Sequence, residues 1–191
     1  MKATNTAVLD EGIMAISGLS RALGGDTRLS DVGSLLWVLL RQLVPCDTVA
    51  LFMPDAAGDQ VVVRYAAGTH AKALDGLTRP MSAGIAGWVA ANRRPILNAE
   101  PVLDLGPGAG AAPALRSSLV VPLVDDDSLA AVLALYSTDL LAFTEEHLDM
   151  LDALGRRLAR MLGNATVGDE RRVVAVRTPT LTLVRCASPR T

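Results

Sequence analysis

The chain has 191 residues, of which half are apolar and only 3% are aromatic. A chain of this size can bury a core of Leu, Val and Ala without disulfides or metals. Its 18 basic and 20 acidic residues create no positive field for nucleic acid or anionic lipid, and no run of about 18 apolar residues predicts a membrane span.

Two helices are predicted at the start of the chain. Residues 7–23 carry apolar residues at helical spacing, and "GGDTR" ends that helix. Ser30 can cap a second helix, whose apolar residues recur every three or four positions. Pro45 stops this second helix, because proline has no backbone N–H to donate.

Two β-hairpins are predicted further along. The first joins "DTVALFMPD" to "DQVVVRYAAG", and the second joins "SSLVVPLV" to "LAAVLALYS" across "DDDS". Between them lie a short helix, "GIAGWVAAN", an extended piece, "RPILN", and a loop rich in Pro, Gly and Ala at 99–114. Within the second hairpin, Pro122 predicts a bulge or strand end, because it cannot donate to the ladder.

A long amphipathic helix is predicted after the second hairpin, with Thr144 as its cap, acids in its first turn and arginines in its last. The basic tail, 163–191, predicts either short strands around Pro179 that pair with a sheet edge, or disorder. Hairpins favour an antiparallel sheet, and helices at both ends can cover one face. These elements predict an α+β fold.

Four stretches, in this order, resemble the GAF domain family, the small-molecule sensory domains of bacterial signalling proteins. They look like the family's entry helix with its first strand, its central helix, its paired central strands, and its exit helix. The stretches are "LSDVGSLLWVLLRQLVPCDTVALFMPD", "GIAGWVAANRRPIL", "LRSSLVVPL" with "LAAVLALYS", and "AFTEEHLDMLDALGRRLA". The resemblance divides the chain into an N-terminal helix or linker at 1–27, a GAF-like domain at 28–162 and the tail at 163–191.

The resemblance implies a profilin-like antiparallel sheet of about six strands. The terminal helices would cover one face, and short helices and a loop would lie over a pocket on the other. It also implies a cytoplasmic sensor that binds a small molecule, forms a homodimer, and acts on a fused or separate output domain. A pure dimerisation or protein-interaction module is the alternative.

The candidate pocket follows from the same layout. Trp88 is a large side chain in a helix of Gly and Ala, where it could wall a pocket or simply fill the core. Arg116 could hold an anion at the pocket mouth, or could lie in water at the end of the sheet. The complete candidate set is Trp88, Leu97, Leu103, Leu115, Arg116, Ser117, Val120, Leu133 and Leu135.

Catalytic, metal and cofactor chemistry are not expected. Cys46 and Cys186 lie far apart without ligand or redox spacing, which is typical of a reducing compartment. The methionine sulfoxide reductases among GAF relatives use clustered cysteines, and bilin-binding relatives use a Cys-His pair. This chain has neither, and it also lacks the Asn-Lys-Phe-Asp-Glu pattern of the cyclic-nucleotide binders. We therefore predict a domain that is not an enzyme.

The last helix leaves one alternative open. Leu148, Leu151, Leu158 and Leu162 lie at heptad-like positions along it. In GAF relatives such a stripe often forms a parallel dimer seam. The same stripe could instead pack only on its own sheet.

Overall fold

The computed structural model describes residue 14, residues 28–106, residues 114–163 and the backbone of residues 172–174. The predicted helix at 7–23, except for residue 14, therefore lies outside the described residues, as do 107–113 and most of the tail. The elements are α1 Leu29–Leu43, β1 Thr48–Pro54, β2 Gln60–Gly68, a 3-10 turn Ala71–Leu74, β3 Thr78–Pro80, α2 Gly84–Asn92, β4 Ile96–Ala99, α3 Val102–Leu105, β5 Ser117–Asp125, β6 Ser128–Ser137, α4 Glu145–Gly163 and β7 Arg172–Val174.

The strands form one sheet in the order β3-β2-β1-β6-β5-β4, and every neighbouring pair in this series is antiparallel. The predicted hairpins are β1–β2 and β5–β6. The predicted α+β architecture with a six-stranded antiparallel sheet is thus confirmed. The short strand β7 adds to this sheet, where it pairs in parallel with residues 65–67 of β2.

Helices α1 and α4 cover one face of the sheet, which we call the back face. Their apolar residues recur at helical spacing, so each helix presents one continuous apolar stripe to the strands. Leu36 and Leu40 of α1, and Leu151 and Leu154 of α4, are buried there in one core.

The leucine stripe of α4 belongs to this back-face core. Leu151, Leu158 and Leu162 are fully buried within it, and Leu148 is partly buried. Of the two roles left open for the stripe, the structure shows packing on its own sheet.

Helix α2, helix α3 and the 3-10 turn lie on the other face, which we call the front face. Here the central strands carry a row of small side chains, because Ala50 pairs in register with Ala66 on one side and Ala134 on the other. All three are completely buried, as are Ala86 and Ala90 of α2. Small side chains on both surfaces let the helix lie close to the strands.

Two expectations about the front face need correction. Trp88 is 40% exposed, so it is not a core residue, and the small residues of α2 make the contact with the sheet. The segment 99–114 is not loop throughout, because Ala99 ends β4 and Val102–Leu105 form α3. Among the helices in the described part of the chain, none has the length and hydropathy of a membrane span.

A substitution at Gly87 tests how closely α2 packs against β3. A Cβ atom at this position would collide with the backbone carbonyl of Pro80, at the end of β3, which cannot move aside as a side chain can. We expect Gly87→Ala to lower the free energy of unfolding by about 1–3 kcal/mol in urea denaturation.

The matched control is Gly163→Ala at the end of α4, where an added Cβ meets nothing within 4 Å. This variant should be neutral or more stable by up to about 1 kcal/mol, because alanine favours helix. Equal effects of the two substitutions would contradict the close contact at Gly87.

Candidate functional site

The polar centre of the front face is Asp104 of α3, whose side chain is completely buried. Its Oδ1 atom accepts hydrogen bonds from the backbone N–H groups of Ile85, at 2.7 Å, and Ala86, at 2.9 Å. The first N–H groups of a helix have no partner within the helix, and the helix dipole favours an anion there. Asp104 therefore caps α2 from a different element and holds α3 against it.

Gly84 permits this contact. Its φ of +70° lies in the region that favours glycine, and a Cβ atom there would lie 2.7 Å from Oδ1 of Asp104 and 3.1 Å from the carbonyl oxygen of Leu103. Any larger residue would push α3 away from the start of α2.

Two further side chains face the buried carboxylate. Tyr136 of β6, itself completely buried, donates from its hydroxyl group to Oδ2 of Asp104 at 3.4 Å. Arg79 of β3 is close enough for its positive charge to act on Asp104. The site thus joins β3, β6, α2 and α3 around one carboxylate.

The surroundings of Asp104 act on its pKa in opposite directions. Burial raises the pKa of Asp104 above its ordinary value, while the hydrogen bonds from Ala86 and Ile85 and the charge of Arg79 work in the other direction. Burial and the neighbouring carboxylate raise the pKa of Tyr136 well above its ordinary value. Tyr136 therefore stays protonated and can donate.

Asp104 was missed by the sequence analysis because it lies in a segment predicted as loop. Two signals could have indicated it. A single acid stands among apolar residues in "VLDL", and Ala83, which precedes α2, has no side chain able to cap the helix. A helix start without a cap and an isolated acid are compatible with a capping interaction, but the sequence alone does not show that the acid lies at that helix start.

The structure divides the predicted pocket residues between the two faces. Val120 and Leu115 are buried in the front-face cluster beneath α2. Trp88 and Leu103 belong to the front-face helices, and they are 40% and 60% exposed. These four therefore lie on the front face, two of them buried and two exposed.

Leu97, Leu133 and Leu135 are on the other side. Leu133 and Leu135 are buried in the back-face core, and Leu97 packs against that core. Side chains alternate along a strand, and Val120 pairs in register with Ala134, so the residues on either side of Ala134 point to the back. The expectation that these leucines line the same wall as Val120 is therefore corrected.

The predicted pocket residue Ser117 and its neighbour Ser118 make hydrogen bonds within the fold, whereas the side chain of Arg116 makes none with the described residues. The hydroxyl group of Ser117 donates to the carbonyl oxygen of Asp139 at 2.7 Å, and that of Ser118 donates to Ala99 at 3.0 Å. Arg116 is exposed, and its backbone N–H donates to Ser137 at 2.8 Å. Ser117 and Ser118 therefore tie neighbouring segments to β5.

Cys46 is poorly suited to nucleophilic chemistry. Burial, and then the charge of Asp47, raise the pKa of its thiol to about 12, so the reactive thiolate is scarce at neutral pH. Among the residues that the structure describes, no three His, Cys, Asp or Glu side chains lie together in a way that could hold a metal ion.

A model of the GAF domain family matches residues 30–162. The chain is similar to the GAF domain of a phosphoenolpyruvate-protein phosphotransferase from Coxiella burnetii, with 21% identity and a TM-score of 0.63. That match covers 85% of this chain and 95% of the other. A search of curated proteins gives no match.

Two other solved structures show how varied such folds are. The GAF-B domain of DevS from Mycobacterium smegmatis is 24% identical, with a TM-score of 0.56, over 70% of this chain and 91% of that one. Free methionine-R-sulfoxide reductase from Neisseria meningitidis, in complex with its substrate, is 22% identical, with the same TM-score, over 72% and 77%. These likenesses concern the fold.

The capping role of Asp104 predicts a graded effect of substitution. Asp104→Ala leaves the N–H groups of Ile85 and Ala86 buried without an acceptor, and should lower the free energy of unfolding by about 2–4 kcal/mol. Asp104→Asn keeps an acceptor oxygen and should cost less. Urea denaturation measures both, with the exposed Asp149→Asn as control. Equal loss in both Asp104 variants would contradict the capping role.

The raised pKa of Asp104 predicts a pH dependence with a definite sign. Between the ordinary value of 3.8 and the raised folded value, the folded chain binds more protons than the unfolded chain, so stability increases as pH falls through this window. Relative to Asp104→Asn, the wild-type chain should gain stability as the pH is lowered from neutral towards the ordinary value of 3.8. A constant or opposite difference would contradict the shift.

Proposed function

We propose a sensory function for this chain, which belongs to the GAF domain family: it binds a small molecule on the front face and passes a conformational signal to an output domain. The observation that carries this proposal is the buried carboxylate of Asp104. This carboxylate links α2 to α3, although its burial disfavours the charged form.

A ligand can use this link as a switch. An anionic or strongly hydrogen-bonding group could take the place of the Asp104 carboxylate at the start of α2, where Arg79 supplies a second attraction. Asp104 would then turn towards water and regain its hydration. The ligand shifts the balance only by the difference in its affinity for the two arrangements.

The rest of the candidate set takes a supporting part. Val120 and Leu115 supply apolar surface beneath α2, and Trp88 and Leu103 are exposed side chains that closure over a ligand would cover. Burying each of these would add favourable free energy to the closed state.

The signal would leave through the back face. Helix α2 continues directly into β4, β4 pairs with β5, and α4 packs across β5. A shift of α2 would therefore reach α4 through β4 and β5. The proposal includes a homodimer as the form that transmits the signal, although the buried leucine stripe of α4 is not its interface.

The alternative is an interaction module without a ligand. The close packing of α2 on the alanine row supports it, as do the internal hydrogen bonds of Ser117 and Ser118. Under either proposal the domain is not an enzyme, which the protonated thiol of Cys46 supports, and it acts in the cytoplasm.

The two tryptophans provide a test of ligand binding. Trp37 lies in the back-face core and Trp88 lies on α2, 40% exposed. In Trp37→Phe only Trp88 emits, and a metabolite that closes the front face should shift its emission to shorter wavelength. We would titrate a panel of small carboxylates, phosphates and neutral metabolites, and compare native mass spectra of the freshly purified chain.

The control for this assay is Trp88→Phe, in which only Trp37 reports. A true front-face ligand should leave its emission unchanged, and circular dichroism would check the fold of both variants. If no compound of the panel shifts Trp88 and no small molecule accompanies the purified chain, the sensory proposal fails and the interaction module stands.

A further inference from the structure

A groove of about 410 Å³ runs beside β5, between the edge of the sheet and helix α4. It lies apart from Asp104 and from the front-face site. Pro122 and Val124 of β5 line it together with four charged residues, of which one follows α2, one lies in the β5–β6 turn and two lie on α4. In this order, the four are Arg93, Asp126, Asp152 and Arg156.

The groove exists because β4 is shorter than β5. Strand β4 pairs only with Ser118, Leu119 and Val120, so the remainder of β5 has no neighbour on that side among the described residues. The preceding residue, Pro95, has no N–H to extend the ladder. Residues 121–125 thus leave an open edge about 16 Å long.

The charges are unevenly distributed along this edge, with two arginines and Asp152 towards one end and three acids and Arg160 towards the other. Arg93 precedes β4, and Gly155 lies beside the carbonyl oxygen of Pro122, so Arg93 and Arg156 flank the edge near Pro122. The hairpin turn at its far end carries three consecutive acids, Asp125 to Asp127. One of them, Asp125, is paired with Arg160 at 3.3 Å.

If the β5 strand of a second copy docks on the open edge in antiparallel orientation, its charges run along the edge in the opposite order. The two-fold axis then passes near Leu123 and brings each acidic turn towards the arginines of the other copy. Edge pairing also satisfies backbone groups that otherwise face water. We propose that residues 121–125 form a homodimer interface, with β5 edges paired antiparallel and the Asp126 turn of each copy against Arg93 and Arg156 of the other.

This inference names a surface for the dimer that the proposed function includes, and its test does not involve the front-face ligand. The edge is narrow and Pro122 removes one donor, so the dimer should be weak and should dissociate as salt increases. Sedimentation of the full chain over a range of concentrations and salt measures both properties.

Charge reversal provides a sharp test. Asp126→Lys places a lysine in the turn opposite the arginines of the other copy, and Arg93→Asp with Arg156→Asp places two acids opposite its acidic turn. Each variant alone should sediment as a monomer, with at least tenfold weaker association. Mixed in equal amounts, the two should form a heterodimer, because every contact across the axis is again between opposite charges.

Two results would overturn the inference. One is a wild-type chain that stays monomeric at every concentration, and the other is a dimer unaffected by both variants, which would place the interface elsewhere. Circular dichroism checks that each variant folds, and failure of one still leaves the salt dependence and the other variant as tests. The Trp88 assay on Asp126→Lys keeps ligand binding separate from dimerisation.

Discussion

One buried carboxylate holds the front of this molecule together. Asp104 supplies the acceptor that the first turn of α2 lacks, and it does so from a helix that begins ten residues after α2 ends. Gly84 permits this contact and the close approach of the two helices, and the carboxylate adds to the effect of burial that keeps the hydroxyl of Tyr136 protonated. Because burial opposes ionisation of Asp104, the contact is stable only while its hydrogen bonds are intact.

The sheet separates two kinds of packing. On the back face, large aliphatic side chains of α1 and α4 fill the space and bury most of the leucine stripe. On the front face, small side chains bring α2 so close that Gly87 meets the backbone of Pro80. The front face thus packs closely around a polar centre, whereas the back face is a continuous apolar core.

Local signals predicted the architecture, whereas the site depends on contacts that no local signal encodes. Hairpins, helix spacing and the Thr144 cap follow from neighbouring residues, so the order of elements and the six-stranded sheet could be predicted. The face on which Leu133 and Leu135 lie depends on a register that one residue would reverse. The pairing of Asp104 with Ile85 joins positions 19 residues apart, and Trp88 is exposed because alanines already fill the space beneath α2.

The row of alanines across the central strands limits how far α2 lies from the sheet. Ala66, Ala50 and Ala134 lie side by side, and their methyl groups occupy little space between the strands and the helix. Exchanging any of them for valine would lift the helix and misalign its first N–H groups with α3. The volume available beneath α2 therefore depends on three small apolar side chains of the sheet.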